Sequence, residues 1–340
     1  MTTPQSPAGR VTGIGSWPGT DAREAANVVT GELDSLPHLV ELPARGLGAD
    51  MIGRAAALLV DLPLDVSTTA YQVASHRGSV ARRASDLLNQ DLDALEETWE
   101  SAGLRGSGRL VKVQSVGPLT LAANIELSTG RRVLTDSGAV RDFAESLTEG
   151  VSRHAAEVAR RLGAPVLVQF DEPSLPAVLA GSLSGRSRFE TVPAVPEPEA
   201  LAVLDAAIAG AGPDVVVHCC AENLPADLLR RSGARAVSFD LSTVSSHDLD
   251  GIGELLDAGK DLVLGVVPTS VPGTSPTWRD CADPVVALVD RLGFPRTVLR
   301  TQVGVSPACG LAGASESWAR QALRLASDVG RAFRDDPEAL

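Results

Sequence analysis

Lysine, cysteine and aromatic residues are scarce in this sequence. Lys112 and Lys260 are the only lysines among 30 basic residues, and the 340-residue chain has 6 Phe, 4 Trp and 1 Tyr. We interpret the lysine scarcity as genome composition, and the few aromatic residues predict a core built from Ala, Val and Leu. Four cysteines are too few for a disulfide framework, so in a reducing compartment each is inert, catalytic or metal-bound. They are Cys219, Cys220, Cys281 and Cys309.

Long apolar runs and an excess of positive charge are also absent. No stretch of about 18 residues is continuously apolar, and the polar segment Met1–Arg10 lacks the pattern of a secretory signal. We therefore expect a cytoplasmic protein without membrane contact, with a flexible segment over residues 1–10. The formal net charge is −13. Because binding to the phosphate backbone needs a positive surface, this balance argues against a nucleic-acid partner.

Short β-rich runs alternate with longer segments of helical period, and no Pro- or Ser-rich linker divides the chain. The expected strands are Val11–Ser16, Leu39–Leu42, Leu110–Ser115, Val166–Phe170, Val215–Cys219, Ala236–Asp240, Leu262–Val266 and Thr301–Val305. The expected helices are Asp21–Leu33, Ala84–Ala102, Ala139–Leu162, Pro198–Ala211, Pro225–Arg231, Asp248–Ala258, Asp283–Leu292 and Glu316–Phe333. Residues 179–195 and 269–277 are expected loops. Eight strand and helix pairs predict an α/β fold, a single (β/α)8 TIM barrel, with residues 1–340 as one catalytic domain.

A His-X-Cys pattern ends the fifth expected strand. Side chains alternate along a strand, so His218 and Cys220 point the same way and could bind one metal ion. Cys309 follows the eighth strand and faces the same mouth of a barrel, which would supply a third ligand for zinc. Asp240 or Glu222 could supply an oxygen. Taken alone, a His-X-Cys is also typical of a packed histidine beside a buried thiol.

Carboxylates end two other expected strands. Asp171 closes the fourth strand and Glu41 the second, and both would face the mouth of the barrel, where they could bind an ammonium group. Ile14, Gly15 and Ser16 lie in the first strand, where a glycine allows close approach and backbone N–H groups could bind a carboxylate. The weaker candidates Gln114, Ser115 and Gly117–Thr120 follow the third strand. A carboxylate at a strand end can instead cap the next helix, which is the alternative for Glu172.

These groups together predict a site for an amino acid that carries a thiol. Zinc lowers the pKa of a bound thiol, and the resulting thiolate can accept a methyl group. Glu41 and Asp171 are then the candidate catalytic residues, and Ile14, Gly15, Ser16 and Gln114 complete the substrate contacts.

The motifs resemble the C-terminal catalytic barrel of cobalamin-independent methionine synthase, in the superfamily that includes uroporphyrinogen decarboxylase. The resemblance covers Gly13 to about Ala312 and includes four motifs in order. Ile14–Pro18 is similar to Ile-Gly-Ser-Phe-Pro, Gln169–Pro173 to Gln-Ile-Asp-Glu-Pro, His218–Cys220 to His-X-Cys, and Pro307–Leu311 to Pro-Asp-Cys-Gly-Leu.

The resemblance implies zinc bound by His218, Cys220 and Cys309, and homocysteine bound by Ser16, Glu41 and Asp171. The fourth zinc ligand of the family is a glutamate, and the matching residue here is Asp240, whose side chain is one methylene shorter. The family has a histidine after the seventh strand and a tryptophan after the third, whereas Val267–Ser270 and Leu121–Asn124 contain neither.

The departures from the family pattern concern the methyl donor, which is methyltetrahydrofolate or a methylated corrinoid. The family also has an N-terminal barrel that helps to bind the folate. We expect a sequence of 340 residues to have no room for this second barrel, so a partner protein could contribute the methyl donor. The expected function is the methylation of homocysteine to methionine. The alternatives are a related zinc-dependent transfer or lyase reaction on another small thiol, and a catalytically silent zinc protein.

Overall fold

The computed structural model describes residues 5–67, 70–185 and 191–340. Residues 1–4, from the segment expected to be flexible, and 186–190, from the expected loop 179–195, lie outside the described residues. The helices are α1 (Ala22–Glu32), α2 (Met51–Leu58), α3 (Ser79–Ser101), α4 (Pro118–Asn124), α5 (Ser137–Leu162), α6 (Leu175–Ala180), α7 (Glu197–Ala211), α8 (Ala226–Arg231), α9 (Leu249–Asp257), α10 (Trp278–Leu292), α11 (Val298–Thr301) and α12 (Glu316–Asp335). The strands are β1 (Leu64–Val66), β2 (Tyr71–Val73), β3 (Val111–Val116), β4 (Ile125–Glu126), β5 (Val166–Asp171), β6 (Val215–Cys219), β7 (Ala236–Asp240), β8 (Asp261–Val267) and β9 (Val303–Pro307).

Six strands form one parallel sheet, in the order β3, β5, β6, β7, β8, β9. The register pairs Val116 with Asp171, Asp171 with His218 and His218 with Ser238. Nearly all side chains of these strands are buried, since helices cover one face and the inward side chains fill the other. The fold is thus an α/β fold with a curled, six-stranded half-barrel that is similar to a TIM barrel, and six of the eight expected strands are confirmed.

The other two expected strands, Val11–Ser16 and Leu39–Leu42, are not regular strands. They make isolated parallel bridges, which pair Val11 with Val305, Ser16 with Glu41 and His38 with Lys112. Glycines explain the irregularity of the first segment, because Gly15 has a φ of +152° and a Cβ on Gly13 would lie 2.4 Å from His38 Cε1. The prediction of eight regular strands was therefore wrong for these two segments, although both lie between β9 and β3.

Several elements were not predicted from the sequence. Strands β1, β2 and β4 form a separate small sheet, and the short helices α2, α4 and α6 lie outside the expected helices. Helix α10 begins at Trp278 rather than at Asp283, because Thr277 and Asp280 form a capping box there. Pro284 therefore lies inside the helix. Proline is typical of the first helical position, which is why the sequence pattern favoured the later start.

The core is aliphatic, as expected, and its few large aromatic side chains are fully buried, among them Trp99, Phe170, Phe239 and Phe333. The N-terminal segment is joined to the sheet, because Ser6 Oγ donates to Asp261 and the Gly9 N–H donates to the Val303 carbonyl. No helix in the described part of the chain combines the length and apolarity that a membrane crossing requires.

Candidate active site

A cavity of about 260 Å³ lies at the carboxyl ends of the parallel strands. This volume is slightly below the roughly 300–1,000 Å³ of pockets for drug-sized ligands, so the cavity suits a small substrate. Seven of the predicted site residues line it, namely Ile14, Ser16, Glu41, Asp171, His218, Cys220 and Cys309. The lining residues that the sequence did not single out as site residues are Pro43, Met51, Pro173 and Gly310.

The residues predicted to bind metal converge on one side of this cavity. One ligand atom from each of His218, Cys220 and Cys309 lies within 4.8 Å of the other two. His218 is 2% exposed, its Nδ1 lies 3.0 Å from Ser238 Oγ, and its buried Nε2 has no hydrogen-bond partner. A buried nitrogen without a partner is costly unless it binds a ligand. One imidazole and two thiols match the donor set of zinc with three protein ligands, so these residues fit the ion.

The two thiols influence each other. Their Sγ atoms are 3.2 Å apart. The hydrogen bond with Cys220, together with nearby His218, lowers the pKa of the Cys309 thiol to about 4. The same hydrogen bond and burial raise the pKa of Cys220. One of the two sulfurs is therefore stabilised as a thiolate, which is the form that binds metal.

The two oxygen candidates lie outside this cluster. Among the described residues, the group with metal-ligand spacing includes neither Asp240 nor Glu222. Asp240 Oδ1 accepts hydrogen bonds from the N–H and the hydroxyl of Ser242 and caps the short turn after β7. The shorter side chain of aspartate thus serves a local turn here, and ligation by either oxygen remains a prediction.

Two buried carboxylates, Glu41 and Asp171, line the cavity as predicted, and each is 6% exposed. Glu41 accepts a hydrogen bond from Gln114 Nε2 at 3.1 Å, and Asp171 Oδ1 accepts one from Gln169 Nε2 at 2.7 Å. Burial raises the pKa of both, that of Asp171 to about 7. A cation bound between them would offset the cost of burial and favour the ionised forms.

The segment from Ile14 to Ser16 faces these carboxylates. It is joined to the second expected strand because the Glu41 N–H donates to the Gly15 carbonyl and the Trp17 N–H to the Glu41 carbonyl. Gly310 packs against Ser16, and a Cβ there would lie 2.1 Å from Ser16 Oγ. Gly15 and Gln114 do not line the cavity themselves but lie behind it, since a Cβ on Gly15 would meet the Gln114 side chain at 2.7 Å.

Glu172 caps a helix, but not the following helix that the alternative interpretation expected: it caps α4, which follows the neighbouring strand β3. Its carboxylate is fully buried and accepts hydrogen bonds from the N–H groups of Leu119 and Thr120 and from the Thr120 hydroxyl, at the start of α4. Burial raises its pKa to about 7. The side chain therefore fixes the helix that follows β3 and takes no place in the cavity.

Two buried cations beside the cavity were missed. Lys112 is 1% exposed and Arg54 is 4% exposed, and Arg54 Nε lies 3.8 Å from Glu41 Oε1. Arg54 could not be singled out among the many arginines of the chain. Lys112 could have been predicted to lie near the site, because it shares its face of β3 with Gln114 and is one of only two lysines.

The chain was compared with family models, curated proteins and solved structures, and the family model agrees with the motifs. The family model described as "Cobalamin-independent synthase, Catalytic domain" matches residues 10–332. A search of curated proteins found no match. Among solved structures, the chain is similar to a B12-independent methionine synthase from Shewanella sp. W3-18-1 in complex with selenomethionine. That match has a TM-score of 0.64 at 13% identity and covers 98% of this chain and 100% of that one. A D-psicose 3-epimerase from Clostridium cellulolyticum H10 aligns at a TM-score of 0.47 and 11% identity, over 95% of this chain and 98% of that one.

Proposed function

Because the chain belongs to the family of cobalamin-independent synthase catalytic domains, we propose that it is a zinc-dependent methyltransferase that converts homocysteine to methionine. The observation that carries the proposal is that one small cavity is lined by three metal-ligand side chains and by two buried carboxylates. A thiol-bearing amino acid is the substrate class that needs both. The similar Shewanella structure is a methionine synthase in complex with selenomethionine, which supports an amino acid as the ligand class.

The carboxylates Glu41 and Asp171 would bind the ammonium group of homocysteine by charge-assisted hydrogen bonds. Ser16 and the backbone from Ile14 to Gly15 would bind its carboxylate. This arrangement would orient the side chain of homocysteine toward the two cysteines, so that its thiol would reach the metal side of the cavity.

His218, Cys220 and Cys309 would hold zinc, with Asp240 or Glu222 as the candidate oxygen ligand. Zinc, when bound, would lower the pKa of the substrate thiol and keep it as a thiolate at neutral pH. Ser238, at 3.0 Å from His218 Nδ1, would orient the ring so that Nε2 faces the ion.

The methyl transfer is an in-line displacement. The homocysteine sulfur forms a bond to the methyl carbon as the bond from that carbon to the donor breaks, and the electron pair of that bond stays with the donor. The donor is methyltetrahydrofolate or a methylated corrinoid, supplied free or by a partner protein.

The test is methionine formation by the purified chain, with methyltetrahydrofolate and methylcobalamin supplied in turn and zinc measured on the same sample. We expect about one zinc per chain and methionine from one of the donors. Active protein without zinc would contradict the metal assignment. Zinc-loaded protein that binds homocysteine but accepts no methyl group from either donor would favour the silent alternative.

A further inference from the structure

Lys112 is a buried lysine whose ammonium group lies among polar atoms beneath the cavity. Its Nζ donates to the Ile14 carbonyl at 2.9 Å and to Gln169 Oε1. A buried ammonium is costly to desolvate, so its position needs compensation by acceptors and negative charge. Both are present, since Lys112 donates to two acceptor oxygens and the carboxylates of Asp171 and Glu41 interact with it as opposite charges.

Lys112 is one of three groups that fix the orientation of the Gln169 side-chain amide. The Gln169 Nε2 donates to Asp171 Oδ1 at 2.7 Å and to the Ile14 carbonyl at 2.9 Å. An ammonium group can only donate hydrogen bonds, so Lys112 contacts the other atom of the amide, the oxygen. Removing the lysine would leave this buried oxygen without its donor and would loosen the side chain that contacts Asp171.

The two acceptors of Lys112 connect it to two groups of the proposed substrate site. Ile14 opens the segment proposed to bind a substrate carboxylate, and Gln169 donates to Asp171, one of the two groups proposed for a substrate ammonium. We propose that Lys112 is a positioning residue that sets both groups of the amino-acid pocket, through Gln169 and the Ile14 carbonyl. This inference rests on the proposed function, because it assigns the residue to the binding of that substrate.

Lys260 shows what a purely structural lysine looks like in this chain. It is half-buried, and its Nζ donates to the backbone carbonyls of Ser232 and Ala234 at 2.6 and 2.7 Å. These hydrogen bonds join backbone atoms of the segment between α8 and β7 and reach no cavity residue. Lys112 differs in having a side-chain acceptor that itself contacts a carboxylate of the cavity.

The experiment compares Lys112→Met with Lys260→Met as the matched control. For each protein, zinc content is measured, and calorimetric titrations give the affinities for homocysteine and for 1-propanethiol, which lacks both the ammonium and the carboxylate. We expect Lys112→Met to keep its zinc and its affinity for propanethiol and to bind homocysteine at least about tenfold more weakly, as loss of one charge-assisted contact predicts. Lys260→Met should match the wild type in all three measurements.

Equal weakening for both thiols would show a general structural role for Lys112, and unchanged homocysteine binding would show no role, so either result overturns the inference. If Lys112→Met does not fold, Gln169→Met removes the intermediary and should show the same selective loss; unchanged binding there also overturns it. Wild-type protein that binds neither thiol would instead overturn the proposed function itself.

Discussion

Asp171 and His218 are register partners in the parallel ladder between β5 and β6. Neighbouring strands lie about 4.8 Å apart, so the backbone itself sets the separation between the carboxylate proposed to bind ammonium and the proposed metal ligand. Under the proposed function, such a fixed separation would select a substrate by the distance between its amino group and its sulfur. Homocysteine and the shorter cysteine differ in this distance by one methylene.

Replacing Cys220 or Cys309 with serine should abolish metal binding. Each substitution removes one of three clustered ligands and leaves an incomplete site. Elemental analysis of the purified variants should show about one zinc in the wild type and near zero in the variants. Cys281→Ser is the matched control, because this buried cysteine lies on α10, outside the cluster, and its variant should keep the metal.

Asp171→Asn and Glu41→Gln should weaken homocysteine binding by about 10- to 100-fold each, because each removes one charged partner of the ammonium group. Titration with homocysteine and with 4-mercaptobutanoate, which lacks the amine, measures the effect. The analogue should lose much less affinity than homocysteine in these variants. A loss of equal size for both ligands would show that neither residue binds the ammonium group.

Gly117→Ala should destabilise the protein by about 1–3 kcal/mol through overpacking. The φ of Gly117 is −78°, which any residue adopts, but its Cβ would lie 2.3 Å from the Glu172 carboxylate that caps α4. Urea unfolding measures the change. Gly31→Ala in α1 is the control, since nothing lies within 4 Å of its Cβ and alanine should stabilise that helix by up to about 1 kcal/mol.

Asp91→Ala should cost about 3–5 kcal/mol of stability, because it leaves buried arginines without their partner. Asp91 is fully buried and accepts hydrogen bonds from Arg45 and Arg54. Unfolding in urea would show a shift of this size, whereas Asp93→Ala, in an exposed pair with Arg161, should cost at most about 1 kcal/mol. Homocysteine affinity should also fall, since Arg54 is then free to move away from Glu41.

His154 should contribute a loss of stability as the pH falls below about 6.5, whereas Asp171 and Glu172, whose pKa is raised in the folded protein, act in the opposite direction. Burial and the nearby Arg54 and Arg161 lower the pKa of this histidine to about 3. The unfolded chain then binds a proton that the folded chain excludes, which removes about 2 kcal/mol between pH 7 and pH 5. Urea unfolding at each pH measures the effect: the stability of the wild type relative to His154→Gln should fall by about 2 kcal/mol between pH 7 and pH 5, whereas its stability relative to His247→Gln, at an exposed position, should stay constant.

The metal cluster was predictable because strand periodicity and parallel topology fix where His218, Cys220 and Cys309 point. The same rules located Glu41 and Asp171. The contact between Arg54 and Asp91 joins α2 to α3 through an ion pair that no local pattern encodes. Helix α2 was not predicted because it is only eight residues long, which is too short for a clear helical period. The segment around Ile14 is apolar enough to predict a strand, but its glycines allow an irregular backbone.

The two sides of the cavity differ in how firmly the backbone holds them. His218 lies on a regular strand that is paired on both edges, whereas Ser16 and Glu41 are joined by one isolated bridge with two backbone hydrogen bonds. Local opening costs less free energy where fewer backbone hydrogen bonds and neighbours restrain a segment. If homocysteine binds as proposed, ordering of this wall would add an entropy loss on the amino-acid side of the cavity that the metal side would not share.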